Sequence, residues 1–141
     1  MNRTIGVVSG YFNPIHSGHL QYINEAKKNC TYLIAIINND HQVNLKGSKK
    51  FMTEFHREDV VKNLKSVDST IISIDKDKTQ CETLKHLRDI YLSQTIYFFN
   101  SGDRKPGNLI IEESIVCKQY NIIEKFLDLP KIYSSSNLLK I

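Results

Sequence analysis

The sequence predicts an α/β protein, a three-layer sandwich in which a five-stranded, mainly parallel sheet lies between two layers of helices. Short apolar runs of strand length alternate with segments whose apolar residues recur at helical spacing. The alternation repeats about four times, which favours parallel strands joined by right-handed crossovers. One run, residues 32–37, is apolar at almost every position, as expected for a strand that is covered on both faces.

The predicted elements follow one another without a linker, an internal repeat or a low-complexity segment. The predicted strands are residues 4–9, 32–37, 70–74, 95–99 and 122–126. The predicted helices are residues 18–29, a helix capped by Thr53 that runs to about residue 65, a helix after the polar segment 75–80, a helix around 112–120 and a short terminal helix at 137–141. Residues 38–50 show neither periodicity and are predicted to form a loop.

Length and composition indicate one domain, residues 1–141, of ordinary globular character. Hydrophobic residues make up 40% and charged residues 24% of the chain, and no apolar run approaches the roughly 20 residues that cross a bilayer. The three cysteines form neither a metal-type pair nor a disulfide framework. We therefore expect a cytoplasmic protein without a membrane partner. The net charge of +4 suits small anionic substrates as well as nucleic acid and does not decide between them.

Chemically distinctive side chains follow four of the predicted strands. They are His16 and His19, Lys46, Asp103 and Arg104, and Ser134 to Ser136. Ligands of open parallel sheets bind outside the carboxyl ends of the strands. We therefore expect these side chains to share one site.

His16 and His19 lie where the first strand gives way to a helix. The first turn of a helix presents free backbone N–H groups and the positive end of the helix dipole, and imidazoles at that point can donate hydrogen bonds to phosphate oxygens. A phosphate site is therefore predicted. The alternative interpretation of the pair is structural, with one histidine in the loop and the other capping the helix. Zinc is disfavoured because no cysteine or acidic partner lies nearby.

The segment from Gly10 to His19, GYFNPIHSGH, resembles the HxGH signature of the nucleotidyltransferase superfamily. It is most similar to the small glycerol-3-phosphate cytidylyltransferase-like branch, which also holds heptose-phosphate adenylyltransferases. Four further features follow in the family's order: Lys46 after the second strand, Arg57 on a helix, Gly102 and Asp103 after the fourth strand, and Ser134–Ser136 before the last helix. The chain departs from the family at Asn13, usually an aspartate, in the loop 102–108, and at residues 131–136, which lack the cytidylyltransferase arginine and paired threonines.

The resemblance implies a Rossmann-like fold and a reaction in which CTP or ATP is joined to a phosphorylated small molecule, such as glycerol 3-phosphate or a sugar phosphate, with release of pyrophosphate. It implies that His16, His19 and Lys46 are catalytic. It assigns nucleotide binding to Gly10, Tyr11, Phe12, Gly18, Arg57, Gly102, Asp103, Ser134, Ser135 and Ser136. Arg104 and Asn108 are candidates for binding the acceptor. Mg²⁺ is expected to bind mainly through the triphosphate, with no metal site of the protein's own, and a homodimer is implied.

Three other classes of function compete with this one. A non-catalytic nucleotide-binding regulatory module with the same fold is the alternative, although the histidine pair and Lys46 together favour an enzyme. A nucleic-acid binder or synthetase fragment is disfavoured because no basic patch interleaved with aromatic residues is present. A dinucleotide dehydrogenase is disfavoured because no Gly-x-Gly-x-x-Gly follows the first strand.

Overall fold

The structure is a computed structural model, and it describes residues 3–101 and 109–129. The elements in chain order are β1 (Thr4–Gly10), α1 (Ser17–Lys28), β2 (Tyr32–Ile37), α2 (Asp40–Lys46), α3 (Glu54–Lys62), β3 (Ser69–Ile72), α4 (Cys81–Ile90), β4 (Thr95–Ser101), α5 (Ile111–Gln119) and β5 (Ile123–Leu127). These strands form one sheet in the order β3-β2-β1-β4-β5, and every neighbouring pair is parallel. The predicted Rossmann-like sandwich with a five-stranded sheet is confirmed.

Helices cover both faces of the sheet. Alternate residues of β2 show this directly, because Leu33 and Ala35 pack in one core and Ile34 and Ile36 in the other. The first core includes buried residues of α1 and α3, and the second includes buried residues of α4 and α5. The near-continuous apolar run of β2 follows from this double burial.

The predicted loop over residues 38–50 is wrong over residues 40–46, where the structure has α2. The Asn39 side chain accepts a hydrogen bond from the Gln42 amide N–H at 2.8 Å, and the Gln42 side chain accepts from the Asn39 N–H at 2.9 Å. Gly47 then ends the helix in the left-handed conformation, with φ 78°. Both ends are therefore set by local capping, which stabilises a helix too short for a clear hydrophobic periodicity.

The remaining predicted elements are present with boundaries that differ by a few residues. The third strand ends at Ile72, and the helix after Thr53 ends at Lys62. The predicted terminal helix 137–141 lies outside the described residues. None of the described helices is long and apolar enough to cross a membrane.

The strand order reverses direction between β1 and β4. The chain moves from β1 outward to β2 and β3, and then crosses to β4 and β5 on the other side of β1. The segments that follow β1 and β4 therefore diverge, one toward each face, and open a crevice at the carboxyl edge of the sheet.

Candidate active site

A cavity of about 690 Å³ opens at this reversal point. Its walls come from the segments that follow β1, β2, β3 and β4 and from the first turn of α5. Predicted site residues that line it are Gly10, Tyr11, Phe12, His19 and Lys46. The topology thus brings the first part of the predicted site together.

His16 and His19 cap the start of α1 reciprocally. His16 is the N-cap residue, and its Nδ1 accepts a hydrogen bond from the Gly18 amide N–H at 3.0 Å. The Nδ1 of His19 accepts from the His16 amide N–H at 3.1 Å. The two rings stack with their centroids 3.9 Å apart. Each imidazole is therefore held by its Nδ1 atom.

This capping fixes the tautomer of both histidines. A neutral imidazole that accepts a hydrogen bond at Nδ1 carries its proton on Nε2. Burial lowers the pKa of His19 to about 4, and the neighbouring His16 and Lys46 act in the same direction. Burial also lowers the pKa of His16. At neutral pH the pair consequently offers two Nε2–H donors without net charge.

Lys46 supplies a positive charge beside these donors. It is the last residue of α2, and its Nζ lies 4.2 Å from the centroid of the Tyr11 ring. A cation over an aromatic face is attracted by the ring quadrupole. The segment after β2 therefore places an ammonium group in the same cavity as His19.

Gly10 and Phe12 shape the cavity floor through packing. Phe12 is 1% exposed and has φ 50°, which is uncommon for a residue other than glycine. A Cβ on Gly10 would lie 2.8 Å from the Phe12 ring. The absence of a side chain at Gly10 thus makes room for Phe12.

Arg57 is predicted to bind the nucleotide, but in the structure its side chain points into the protein interior. Its side chain is fully buried and does not line the cavity. The Nη1 atom donates to the carbonyl oxygens of Tyr11 and Asn38, each at 2.7 Å. The other guanidinium nitrogens donate to Met52 O at 3.1 Å and to the carboxylate of Asp40 at 2.9 Å. Arg57 therefore holds the segments after β1 and β2 together, which makes it a positioning residue.

Asn13 ties a third segment to the same place. Its Nδ2 donates to the carbonyl oxygen of Lys49 at 2.8 Å, and its Oδ1 accepts from the Phe51 N–H at 2.9 Å. An aspartate could accept the second hydrogen bond but could not donate the first. The amide therefore suits this position, and it anchors the chain just beyond Lys46.

The sequence missed the contribution of the segment after β3. Lys78, Thr79 and Gln80 line the cavity there. The polar run 75–80 was visible in the sequence, but it contains no motif that would assign it a function. Asn38, Asn100, Ser101, Glu112 and Glu113 also line the cavity and were not predicted.

The remaining predicted site residues lie outside the described residues. They are Gly102, Asp103, Arg104, Asn108, Ser134, Ser135 and Ser136. Within the described residues, no group of three or more histidine, cysteine or acidic side chains could hold a metal ion.

Replacing Arg57 by methionine should lower the free energy of unfolding by about 3 kcal/mol, because buried carbonyl groups and Asp40 lose their partner. Urea denaturation measures this, and Lys62→Met, at an exposed position on the same helix, is the control and should change little. Unchanged stability in Arg57→Met would contradict a positioning role.

His19 makes stability depend on pH. Its pKa is about 4 in the fold and 6.5 as a free side chain, so the unfolded chain binds more protons between these values and stability falls as the pH decreases through them. Glutamine at this position keeps a capping acceptor without titrating. His19→Gln should therefore lose about 2 kcal/mol less stability than the wild type between about pH 7 and about pH 4.5.

Urea denaturation at the two pH values measures this difference. His86→Gln, at an exposed position on α4, should follow the wild-type curve. A His19→Gln curve parallel to that of the wild type would show that His19 does not titrate as the buried cap requires.

Known proteins are similar to this chain in sequence and in fold. A FAD synthase of Picrophilus torridus is 37% identical over 71 residues, which are 50% of this chain and 51% of the relative. The bifunctional protein HldE of Granulibacter bethesdensis is 37% identical over 73 residues, which are 50% of this chain and 15% of HldE. The chain thus spans about half the length of the first of these relatives and much less of the second.

A solved structure shares the fold over nearly the whole chain. The lipopolysaccharide core biosynthesis protein from Thermoplasma volcanium superposes with a TM-score of 0.67 at 21% identity, covering 94% of this chain and 99% of that one. The cytidylyltransferase-like family matches residues 7–140, which include the two histidines, Lys46 and the cavity. The chain belongs to the cytidylyltransferase-like family.

Proposed function

We propose that this protein is a nucleotidyltransferase that joins CTP or ATP to a phosphorylated small molecule and releases pyrophosphate. The observation that carries the proposal is the pair of imidazoles fixed by their Nδ1 atoms, of which His19 lines the same cavity as Lys46 and His16 stacks on His19. Family membership supports the same class of reaction.

Such a reaction requires that the two substrates are aligned and that the negative charge of the transition state is stabilised. A phosphate oxygen of the acceptor attacks the α-phosphorus of the nucleoside triphosphate, the new P–O bond forms, and the bond to pyrophosphate breaks. Negative charge builds on the α-phosphate and on the leaving oxygen. Donors that are already oriented stabilise this charge without having to reorganise, and His16 and His19 are oriented by the backbone of α1.

Neutral histidines suit this role over a wide pH range. Because the pKa of His19 is about 4, the imidazole keeps the same protonation state at any ordinary cellular pH. Lys46 then supplies the positive charge at the α-phosphate and the acceptor phosphate. The N-terminus of α1 contributes further partial positive charge.

Mg²⁺ would bind at this site mainly through the oxygens of the triphosphate. It prefers oxygen ligands and usually binds substrate phosphates together with one or two carboxylates. The described residues hold no cluster of three or more metal-ligating side chains, and the acidic Glu112 and Glu113 line the cavity. When bound, the ion would neutralise charge on the phosphates.

The finer assignments rest on the resemblance and on relatives. We propose that Ser134–Ser136 hold the β- and γ-phosphates, that Gly102 and Asp103 contact the nucleoside, and that Arg104 and Asn108 contact the acceptor. Glycerol 3-phosphate, heptose phosphate and flavin mononucleotide are candidate acceptors, the last because joining it to an adenylyl group gives FAD and a FAD synthase is among the relatives. A homodimer in the cytoplasm, with one domain over residues 1–141, is part of the same proposal.

The test is a pyrophosphate-release screen of the full chain. CTP and ATP are crossed with glycerol 3-phosphate, heptose 1-phosphate and flavin mononucleotide in the presence of Mg²⁺. We expect release with at least one pair. Tight nucleotide binding without release from any pair would instead favour the non-catalytic nucleotide-binding module.

His16→Ala, His19→Ala and Lys46→Met should each lower kcat/KM by about 100-fold, since each removes one stabilising group from the transition state. His86→Ala, which lies on α4 outside the cavity, is the control and should release pyrophosphate at the wild-type rate. Melting temperatures identify any variant that has lost activity by unfolding. Folded variants of both histidines with undiminished release would contradict the proposed function.

A further inference from the structure

Gln80 carries a buried hydrogen-bond acceptor that has no partner among the residues that the structure describes. The residue is 2% exposed and lines the cavity, and its Oε1 makes no hydrogen bond within residues 3–101 and 109–129. A buried polar atom without a partner is costly, so the large majority of them are paired in native proteins. An unpaired one beside an open cavity indicates a partner that arrives with the ligand.

The position of Gln80 in the fold does not explain its side chain. Gln80 is the N-cap residue of α4, yet its side chain makes no capping hydrogen bond. Asp75 caps the helix instead, because its Oδ2 accepts from the Glu82 N–H at 2.8 Å and its Oδ1 from the Thr83 N–H at 2.9 Å. The usual task of an N-cap side chain is thus done by another residue.

The segment that presents Gln80 is held in place by two elements, the first of which is α2 with its N-cap residue Asn39. Asn39 donates through Nδ2 to the carbonyl oxygens of Ser73 and Asp75, each at 2.9 Å. Gln42 donates through Nε2 to those of Asp77 at 2.8 Å and Thr79 at 3.0 Å.

The second element is α5. The Gln80 N–H donates to Oε2 of Glu113 at 2.8 Å, and Glu113 is 5% exposed. The backbone that carries Gln80 is therefore held in place before a ligand binds.

The chemistry of the unpaired Gln80 atom selects the kind of group that binds there. Gln80 lines the cavity together with Lys78, Glu112 and Glu113. Oε1 of Gln80 is an acceptor, and an ionised phosphate oxygen has no hydrogen to donate to it. A group that donates a hydrogen bond and carries no negative charge fits instead.

We propose that Oε1 of Gln80 accepts a hydrogen bond from an N–H or O–H group in the uncharged part of a substrate, and so determines substrate specificity. This inference rests on the proposed function. Two sources offer that chemistry: the exocyclic amino group of cytosine or adenine, and a hydroxyl group of the acceptor. Its phosphates would lie toward His19 and Lys46.

The test is Gln80→Met, which keeps the length of the side chain and removes the acceptor. Gln119→Met, at an exposed position on α5 that does not line this cavity, is the matched control. Calorimetric titration of the full chain with Mg²⁺ measures the affinities for CTP, UTP, ATP and inosine triphosphate, and for glycerol 3-phosphate and propyl phosphate. UTP, inosine triphosphate and propyl phosphate lack the amino or hydroxyl donors of their counterparts.

A hydrogen bond of this kind changes affinity by up to about tenfold. If the nucleobase is the donor, Gln80→Met lowers the preference for CTP over UTP, or for ATP over inosine triphosphate, by about that factor. If the acceptor is the donor, the preference for glycerol 3-phosphate over propyl phosphate falls instead. The melting temperature of the ligand-free variant should stay level or rise, because an unpaired buried acceptor has been removed.

Unchanged preferences in all three pairs would overturn the proposal. So would a lower melting temperature with equal weakening of every probe, which would show that Gln80 is structural. The proposed function is tested separately by pyrophosphate release. Release with preferences that do not depend on Gln80 would refute only this inference, whereas Gln80-dependent binding without release from any pair would refute only the transferase activity.

Discussion

At the start of α1, the amide N–H groups of His16 and Gly18 donate to the Nδ1 atoms of His19 and His16. The first N–H groups of a helix have no carbonyl partner within the helix. The two imidazoles accept hydrogen bonds from these N–H groups and so stabilise the start of α1. In doing so, each ring loses the freedom to protonate Nδ1 or to rotate. The chemistry of the cavity depends on this constraint, because it turns two titratable side chains into fixed neutral donors.

Buried polar contacts extend the same order to the surrounding segments. Arg57 joins the carbonyl groups of Tyr11 and Asn38, and Asn13 holds the backbone at Lys49 and Phe51. Lys46 lies against the Tyr11 ring. The segments after β1 and β2 therefore form one rigid side of the cavity. The segment after β3 is anchored to α2 through Asn39 and Gln42 and to α5 through Glu113, and it presents Gln80 to the same cavity.

The sequence predicted the features that depend on local pattern. The apolar run at residues 32–37 predicted a strand that is buried on both faces. The histidines at a strand-to-helix boundary indicated the anion site. It did not predict α2, although Asn39, Gln42 and Gly47 form a capping box and a left-handed C-cap, because seven residues are too few for a clear periodicity. Such short capped helices are recognisable only when their ends are read first.

Long-range partners could not be predicted from spacing. A cationic side chain on a helix suits a phosphate as well as a set of carbonyl groups, and the fold alone decides that Arg57 binds the carbonyl groups. The role of Gln80 could not be predicted either, because its side chain is free of the usual N-cap role only since Asp75 caps α4 instead. In both cases the deciding contacts join residues that no local motif connects.

The proposed chemistry requires that His16 and His19 are neutral and carry their protons on Nε2. Long-range ¹H–¹⁵N correlation spectra of the ¹⁵N-labelled full chain at neutral pH report the protonation of each ring nitrogen. We expect both histidines to show a protonated Nε2 and an unprotonated Nδ1. Protonated Nδ1 atoms, or averaged signals from interconverting tautomers, would contradict the account.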